Sequence, residues 1–573
     1  MAKTTFIASK YRTMLVGGTV MAVLVSVLIM ADTLISGIFL GEDAVAGVNL
    51  MLPLYSLISF FSMMVSLGVP ILYANKTGAF QRKEADHVFC VGFMMSIIAG
   101  IVLFLLLLLF GDAYLCYYQP DGQVLYRARE YLYWMKYVAL IMPAEELLFG
   151  MVYADGDEVI STIGNVLSAV SKVLLSGLLC KSMGTRGLAL ATFIGLLISL
   201  AILSLHFLRK RNSLRLRFSA FSLDFEMVRS IVKYSIVDAG TYLFLFLFTT
   251  ATNLFVIRVF GTDLLILVSA ITLVREAQMV FDGIGETITP ILSVYLGEEN
   301  YPGVREVWGL ARRTAHIESV IVSVLLIIFA PYIVGMLHIE SPGTAHLACL
   351  GLRILSVTMI FTCHLYLDSS YDILADKTSL GILVGALRDV VVPLPFAVVG
   401  GLAFGVCGMF IGLMLSQPVS YLLAYWYIRA RYGRENYPLF LAEKEKGKKM
   451  KLYEFEVAPV SVVTTRDRIG ETLTENGYPG GTVHKTMLLF EEVFMAIYER
   501  NDGRRVRAEC SVEMGERVRL ITKDDGTLFD LTNVDRKVDS LRDYVVSMMI
   551  GSYVQKRVHF LALSFNRNSL EIG

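Results

Sequence analysis

The residues best able to do chemistry in this 573-residue chain are charged or amide side chains set inside apolar stretches. Asp32 stands in TMLVGGTVMAVLVSVLIMADTLISGIFL, Asn49 in the next apolar run, and Lys172 in GNVLSAVSKVLLSGLLC. A charged group in hydrocarbon costs about 2.5–3.5 kcal/mol by insertion scales, so it persists where it is paired, hydrated or used. The chemistry this predicts is cation binding or proton carriage. Lys172 needs a partner, which Asp32, Glu145 or Glu146 would supply. In the second half, Asp238 is embedded alone, while Arg275, Asp282 and Glu286 fall at i, i+7 and i+11, one stripe of a helix suited to holding one cation. Glu276 points to another face. Asp368 and Asp372, at i and i+4, share a face, and two carboxylates that close can share a proton. The competing reading is internal ion pairing with Arg258, Arg275, Arg353 or Arg388. Asp155, Asp157 and Glu158 occupy an Asp-Gly turn and read as surface groups. No catalytic set is apparent. Cysteines 90, 116, 180, 349, 363, 407 and 510 show no CxxC spacing, so neither a metal site nor a disulfide framework is indicated.

Long apolar helices must position these groups. The mean hydropathy is +0.61, and apolar runs of about 20 residues, each able to cross a bilayer, recur along the chain. Twelve are read, near 14–38, 45–72, 88–110, 131–153, 159–182 and 187–208, then 230–258, 264–296, 315–338, 346–371, 378–401 and 405–429. The second half repeats the first. Gly41 and Gly261 open similar stretches, Pro70-Ile71-Leu72 returns as Pro290-Ile291-Leu292, and Ala154-Asp155 returns as Ala375-Asp376. Repeats of this kind mark transporters. Basic clusters follow spans two, six, eight and twelve, for example Lys76-Arg82-Lys83 and Arg209-Lys210-Arg211, which predicts both termini in the cytoplasm. The first run lacks a small-residue cleavage site and reads as a retained span. The expected organisation is a six-helix lobe over 1–208, a basic linker over 209–229, a second lobe over 230–430, a charged linker over 431–451 and a soluble α/β domain over 452–573.

In that last domain, KLYEFEVAP, RVRAECSVEM and ERVRLITKDDG alternate as strands do. HKTMLLFEEVFMAIYER reads as an amphipathic helix with Met487, Phe490, Phe494 and Ile497 along one side. Glu491 and Glu492 lie on that helix. Asp524-Asp525-Gly526 is an acidic turn, read on its own as a hairpin.

Met30-Ala31-Asp32-Thr33, the run Gly41–Val48, Gly68-Val69-Pro70, Ala154-Asp155-Gly156-Asp157 and Gly187–Thr192 together resemble the multidrug and toxic compound extrusion (MATE) family. The resemblance covers about residues 10–430. It implies two six-helix lobes in a V that export cationic or amphipathic small molecules in exchange for H+ or Na+, with no other cofactor. Asp32 would be the first-helix acid of the ion site, and Asp238, Asp368 or Asp372 the second-lobe acid. The chain departs from the family at Val170, Ser171, Lys172 and Leu174, where an Asn and an Asp are usual, and span one lacks a bending proline. The tail resembles a GHKL-type ATP-binding domain: Glu491 stands for the catalytic Glu, Asp524 for the adenine-binding Asp, and Gly526 and Asp530 for parts of the DxGxGFD box. Met495 replaces the Mg2+-holding Asn, Leu528 replaces a glycine, and no phosphate lid is visible, so the site reads as vestigial. The expected protein is a plasma (inner) membrane exporter whose partners are its substrate, lipid and a cytoplasmic protein that meets the tail. No nucleic acid is expected. The rivals are a lipid-linked oligosaccharide flippase of the same superfamily, which would want a more cationic cavity, and a membrane sensor with a kinase-like output.

Overall fold

The computed structural model describes residues 6–572 except 79–80, 210–211, 213, 216–223, 376, 433–448, 502–503, 528–549 and 561–562. Its apolar runs fold as α1 (Phe6–Leu40), α2 (Glu42–Ser66), α3 (Gly68–Gly78), α4 (Arg82–Tyr118), α5 (Gly122–Ala154), α6 (Glu158–Met183) and α7 (Thr185–Ser204). The second half contributes α8 (Phe225–Phe260), α9 (Val268–Gln278), α10 (Asp282–Gly297), α11 (Tyr301–Met336), α12 (Pro342–Ser356), α13 (Met359–Leu374), α14 (Thr378–Ala386) and α15 (Pro393–Tyr432). Local chemistry sets several ends. The Asp224 side chain accepts from the backbone N–H of Glu226 and Met227 to cap α8, and Ser341 caps α12 ahead of Pro342.

Among the described residues, nine helices are long and apolar enough to cross a membrane, or ten when the bent pair α12 and α13 counts as one. The twelve separate runs of the sequence reading are not all resolved as such. Residues 378–429 fall in one counted stretch, Thr378–Tyr432, although Phe404 and Gly405 leave helical geometry inside it. In α1 only Ile29–Leu40 is counted, as a shorter apolar helix.

The duplication is visible in the backbone. Gly41 (φ +85°) and Gly261 (φ +92°) open corresponding stretches, and Gly184 (φ +62°) and Gly405 (φ +64°) interrupt corresponding helices. These left-handed conformations suit glycine because it has no Cβ to clash.

The chain divides into two compact units. One comprises Val23–Val280 and His316–Ala424. Its interior includes a cluster built on Val65, Val69, Phe89, Leu147, Met151, Leu203 and Ile231. Leu105, Leu109, Phe110, Ile328 and Leu402 are exposed on its helices, as lipid-facing side chains are. Asp155 and Asp157, expected at the surface, are instead buried against His206, whose ring nitrogens lie 2.9 and 3.0 Å from their carboxylates. The Asp-Gly turn thereby ties the end of α7 to the start of α6.

The other unit comprises Met1–Ala22, Phe281–Ala315 and Tyr425–Gly573. Its tail has strands β1 (Lys449–Glu456), β2 (Arg507–Met514), β3 (Val518–Asp524), β4 (Ile550–Phe560) and β5 (Leu563–Ile572), with α16 (Pro459–Glu475) and α17 (Gly480–Arg500). The sheet is antiparallel throughout, in the order β1-β2-β3-β5-β4, and Phe490, Phe494 and Ile497 of α17 share its core. Asp524-Asp525-Gly526 is therefore not a hairpin turn, because β3 pairs with β2 and β5.

A buried polar network ties the sheet to the end of α10. Lys523, fully buried, reaches Glu298 at 2.7 Å and Glu509 at 2.9 Å and lies 3.8 Å over the Tyr295 ring. The Tyr295 hydroxyl donates to Glu509, Arg567 donates to Glu298, and Asn300 donates to Ser511 at 2.7 Å. At the start of α1, the Ile7 N–H donates to Glu454 at 2.9 Å.

Candidate functional site

Asp32 is buried on α1, and one of its carboxylate oxygens serves two partners. The Tyr131 hydroxyl of α5 donates to it at 3.2 Å, and the Lys172 ammonium of α6 lies 3.0 Å away. Its other oxygen has no hydrogen-bond partner among the described residues. Glu276 of α9 is buried within electrostatic reach of both Asp32 and Lys172. Tyr55 of α2 feels Lys172, Asp32, Glu145 and Glu146 together. Glu145 is buried and accepts from the Ser199 hydroxyl, and neighbouring Glu146 is half-buried. Two carboxylates, Asp32 and Glu276, thus face one ammonium, with Glu145 and Glu146 close by around Tyr55 in the same unit. Such an excess can bind a proton or a substrate cation, because each removes repulsion in a low-dielectric site.

The expected residues fall unevenly on this site. Lys172 and Asp32 are brought together. Asn49 is buried elsewhere, its backbone carbonyl accepting from Asn253 of α8 at 3.0 Å. A turn of 3-10 helix at Met279–Phe281 interrupts the α-helical period between α9 and α10 within the span Thr262–Gly297, so Arg275, Asp282 and Glu286 do not lie on one unbroken α-helix. Arg275 belongs to the first unit, whereas Asp282 and Glu286 belong to the second. There they are exposed with Thr289 and Ser293 at helical spacing on α10, while Ile284, Ile288 and Leu292 are buried. Asp368 and Asp372 are buried on α13, with Asp368 and Lys377 the electrostatic neighbours of Asp372. Asp238 lies in α8, and its side chain is outside the described residues. Among the described residues, no three His, Cys, Asp or Glu side chains converge as metal ligands.

The sequence reading missed Glu276. It was correctly placed on a different face from Arg275, and that face meets the first lobe. The only signal was one more acid in an apolar run.

Residues 19–178 match the MatE family model. None of the curated proteins matches significantly. Among solved structures, an inward-facing multidrug resistance MATE family transporter of the MOP superfamily is 18% identical, with 75% of this chain and 99% of that one aligned at a TM-score of 0.66. The fold is the MATE fold. An outward-facing transporter of the same description aligns at 0.61, with 18% identity over 76% of this chain and 96% of that one. A MOP superfamily transporter from Pyrococcus furiosus, described by the reverse polarity of its binding pocket, also aligns at 0.61 and 18% identity, over 74% and 95%. Both aligned MATE structures are described as multidrug resistance transporters.

In the tail, the residues likened to a nucleotide site are engaged with protein. Asp524 is buried and accepts from Asn566 at 2.8 Å and from the Gly526 N–H at 3.0 Å. Burial pushes its carboxyl up to about 6. Glu491 is held by Arg466 at 2.7 Å. Asp530 lies outside the described residues.

Proposed function

We propose that the chain is a secondary active exporter of small cationic or amphipathic molecules, driven by the H+ gradient through the Asp32–Lys172–Glu276 cluster. One observation carries this reading: an ammonium fixed to the protein already sits against Asp32 at 3.0 Å, where a free Na+ would otherwise lie. Lys172 satisfies one carboxylate permanently. The remaining acids, Glu276, Glu145 and Glu146, take up and release protons, and a substrate cation competes with those protons for the same oxygens. Protonation then favours one arrangement of the helices and substrate the other, which is alternating access.

Around this core, the chain is a plasma membrane protein with both termini cytoplasmic, as the basic loops support. Counting α1 as a span and the break at Phe404–Gly405 as a turn brings the helices to twelve in two lobes. The tail is a degenerate GHKL-like module with a regulatory role, open to a cytoplasmic protein partner. Its Asp524 and Glu491 are committed to Asn566 and Arg466, which supports structure over ATP turnover.

The test is transport of a cationic dye in proteoliposomes with a pH gradient and a Na+ gradient imposed separately. The pH gradient alone should drive transport, and Glu276→Gln or Asp32→Asn should abolish it while the protein still melts cooperatively. Sodium-driven transport without a pH gradient overturns the proposal.

A further inference from the structure

Arg275 and Glu276 are consecutive on α9, so their side chains leave the helix about 100° apart. Glu276 turns to Asp32 and Lys172, whereas Arg275 turns to a second, oppositely charged cluster. The Arg275 guanidinium stacks 3.7 Å from the Phe248 ring centroid and donates to the backbone carbonyl of Asp389 at 2.8 Å. The Asp389 carboxylate is taken by its neighbour Arg388, which grips it with two nitrogens at 3.0 and 2.7 Å. Arg388 also stacks 3.6 Å from the Tyr366 ring centroid, and Gln417 donates to its carbonyl at 3.0 Å.

Two guanidiniums therefore face one carboxylate. The charged neighbours of Arg275 are Asp389 and Arg388, with Tyr366 beside them. Asp372 is turned to Asp368 and Lys377. An arginine has five N–H donors in a rigid fork, and here, among the described residues, a single backbone oxygen accepts one of them. Arg275 as a whole residue is half-buried. Arg388 and Asp389 sit in a π-helical turn, Leu387–Val391, a less stable backbone form that recurs at functional sites.

We propose that Arg275 recognises an anionic group, a carboxylate or phosphate, on the transported molecule. This deepens the exporter reading and rests on it for the word transported. The preferred substrate class is amphoteric: a cationic nitrogen goes to the carboxylates around Glu276, an acid group to the free edge of Arg275, and Phe248 and Tyr366 offer flat apolar faces between. Opposite charges on adjacent residues of one helix give the two ends of such a molecule two addresses.

The test is binding of two dyes to the full chain in detergent, followed by fluorescence polarisation: a rhodamine with a free carboxylate and its methyl ester. The wild-type protein should bind the acid about tenfold more tightly, equivalent to ~1.4 kcal/mol. Arg275→Gln should remove the preference by weakening the acid alone, and Arg275→Lys should keep part of it. Equal binding of both dyes by the wild type, or no binding of the acid, overturns the proposal without recourse to any variant. So does a folded Arg275→Gln that still prefers the acid. A second arm adds phosphatidylglycerol to the micelles. Displacement of the acid dye by this lipid assigns the site to a headgroup phosphate, and no displacement assigns it to a soluble acid. Binding needs no gradient, so failure here leaves H+-driven transport standing, and failure of transport leaves this result readable.

Discussion

The networks around Lys523 and Lys172 both hold a lysine among carboxylates inside the protein, and they differ in balance. In the tail unit, Lys523 and Arg567 face Glu298 and Glu509, two positive charges against two negative. Lys523 has no exposed surface, and Tyr295 closes the network with its hydroxyl. In the helical unit, one half-buried ammonium serves two acids, Asp32 and Glu276, and one oxygen of Asp32 has no partner among the described residues. A balanced, sealed network has nothing to exchange, so it holds structure. An unbalanced, accessible one leaves acids for a mobile cation, which is what the proposed coupling to a gradient requires. Breaking either should show which is which.

The largest stability effect is expected at Lys523. Removing one partner of a sealed ion network leaves buried charge uncompensated, at a cost of about 3–5 kcal/mol. Lys523→Met should lower the melting temperature of the full chain sharply, and adding Glu509→Gln should recover part of the loss. An unchanged melt would show that the network is not the attachment it is taken to be.

Lys172→Met should cost less, on the order of 1–3 kcal/mol, because the acids can take protons and the site is accessible. Its effect on transport should be large, with the strict dependence on a pH gradient lost. The double variant with Asp32→Asn should recover stability relative to Lys172→Met. Additive losses would mean that the two are not energetic partners.

A smaller, graded effect is expected from pH. Burial raises Glu454 to about 8, with Glu306 adding repulsion, and raises Asp524 to about 6. A carboxyl raised on folding holds its proton longer in the native state, so stability is complete below the ordinary carboxylate range and declines as pH rises through the folded values. Melting temperatures should therefore fall as pH rises from about 4 to about 8, with Asp524→Asn lessening the slope below about pH 6 and Glu454→Gln lessening it all the way up to about pH 8. Parallel slopes in all three proteins would place the dependence elsewhere. The smallest effect belongs to Glu491→Gln, whose half-exposed pair with Arg466 contributes about 0–1 kcal/mol. Neither transport nor melting should change, and the full chain should release no phosphate from Mg2+–ATP. Turnover lost in Glu491→Gln would restore a catalytic tail.

What the sequence by itself determined were the properties that hydropathy, period and spacing encode locally. Long apolar runs had to become helices, glycines recurred at matching junctions because the chain is duplicated, and strand alternation placed β1, β2 and β3 in the tail. Asp32 and Lys172 announced themselves because a charge among apolar neighbours needs a reason to be there. Tertiary structure decided which charges meet. The stripe of Arg275, Asp282 and Glu286 assumed an unbroken α-helix, and a turn of 3-10 helix at Met279–Phe281 interrupts that period. Glu276 joined Asp32, and Lys523 found Glu298, across separations that no local pattern records. Helical period fixes which residues share a face. Only packing of distant segments fixes what that face meets, and the net charge of a site is a sum over all of them.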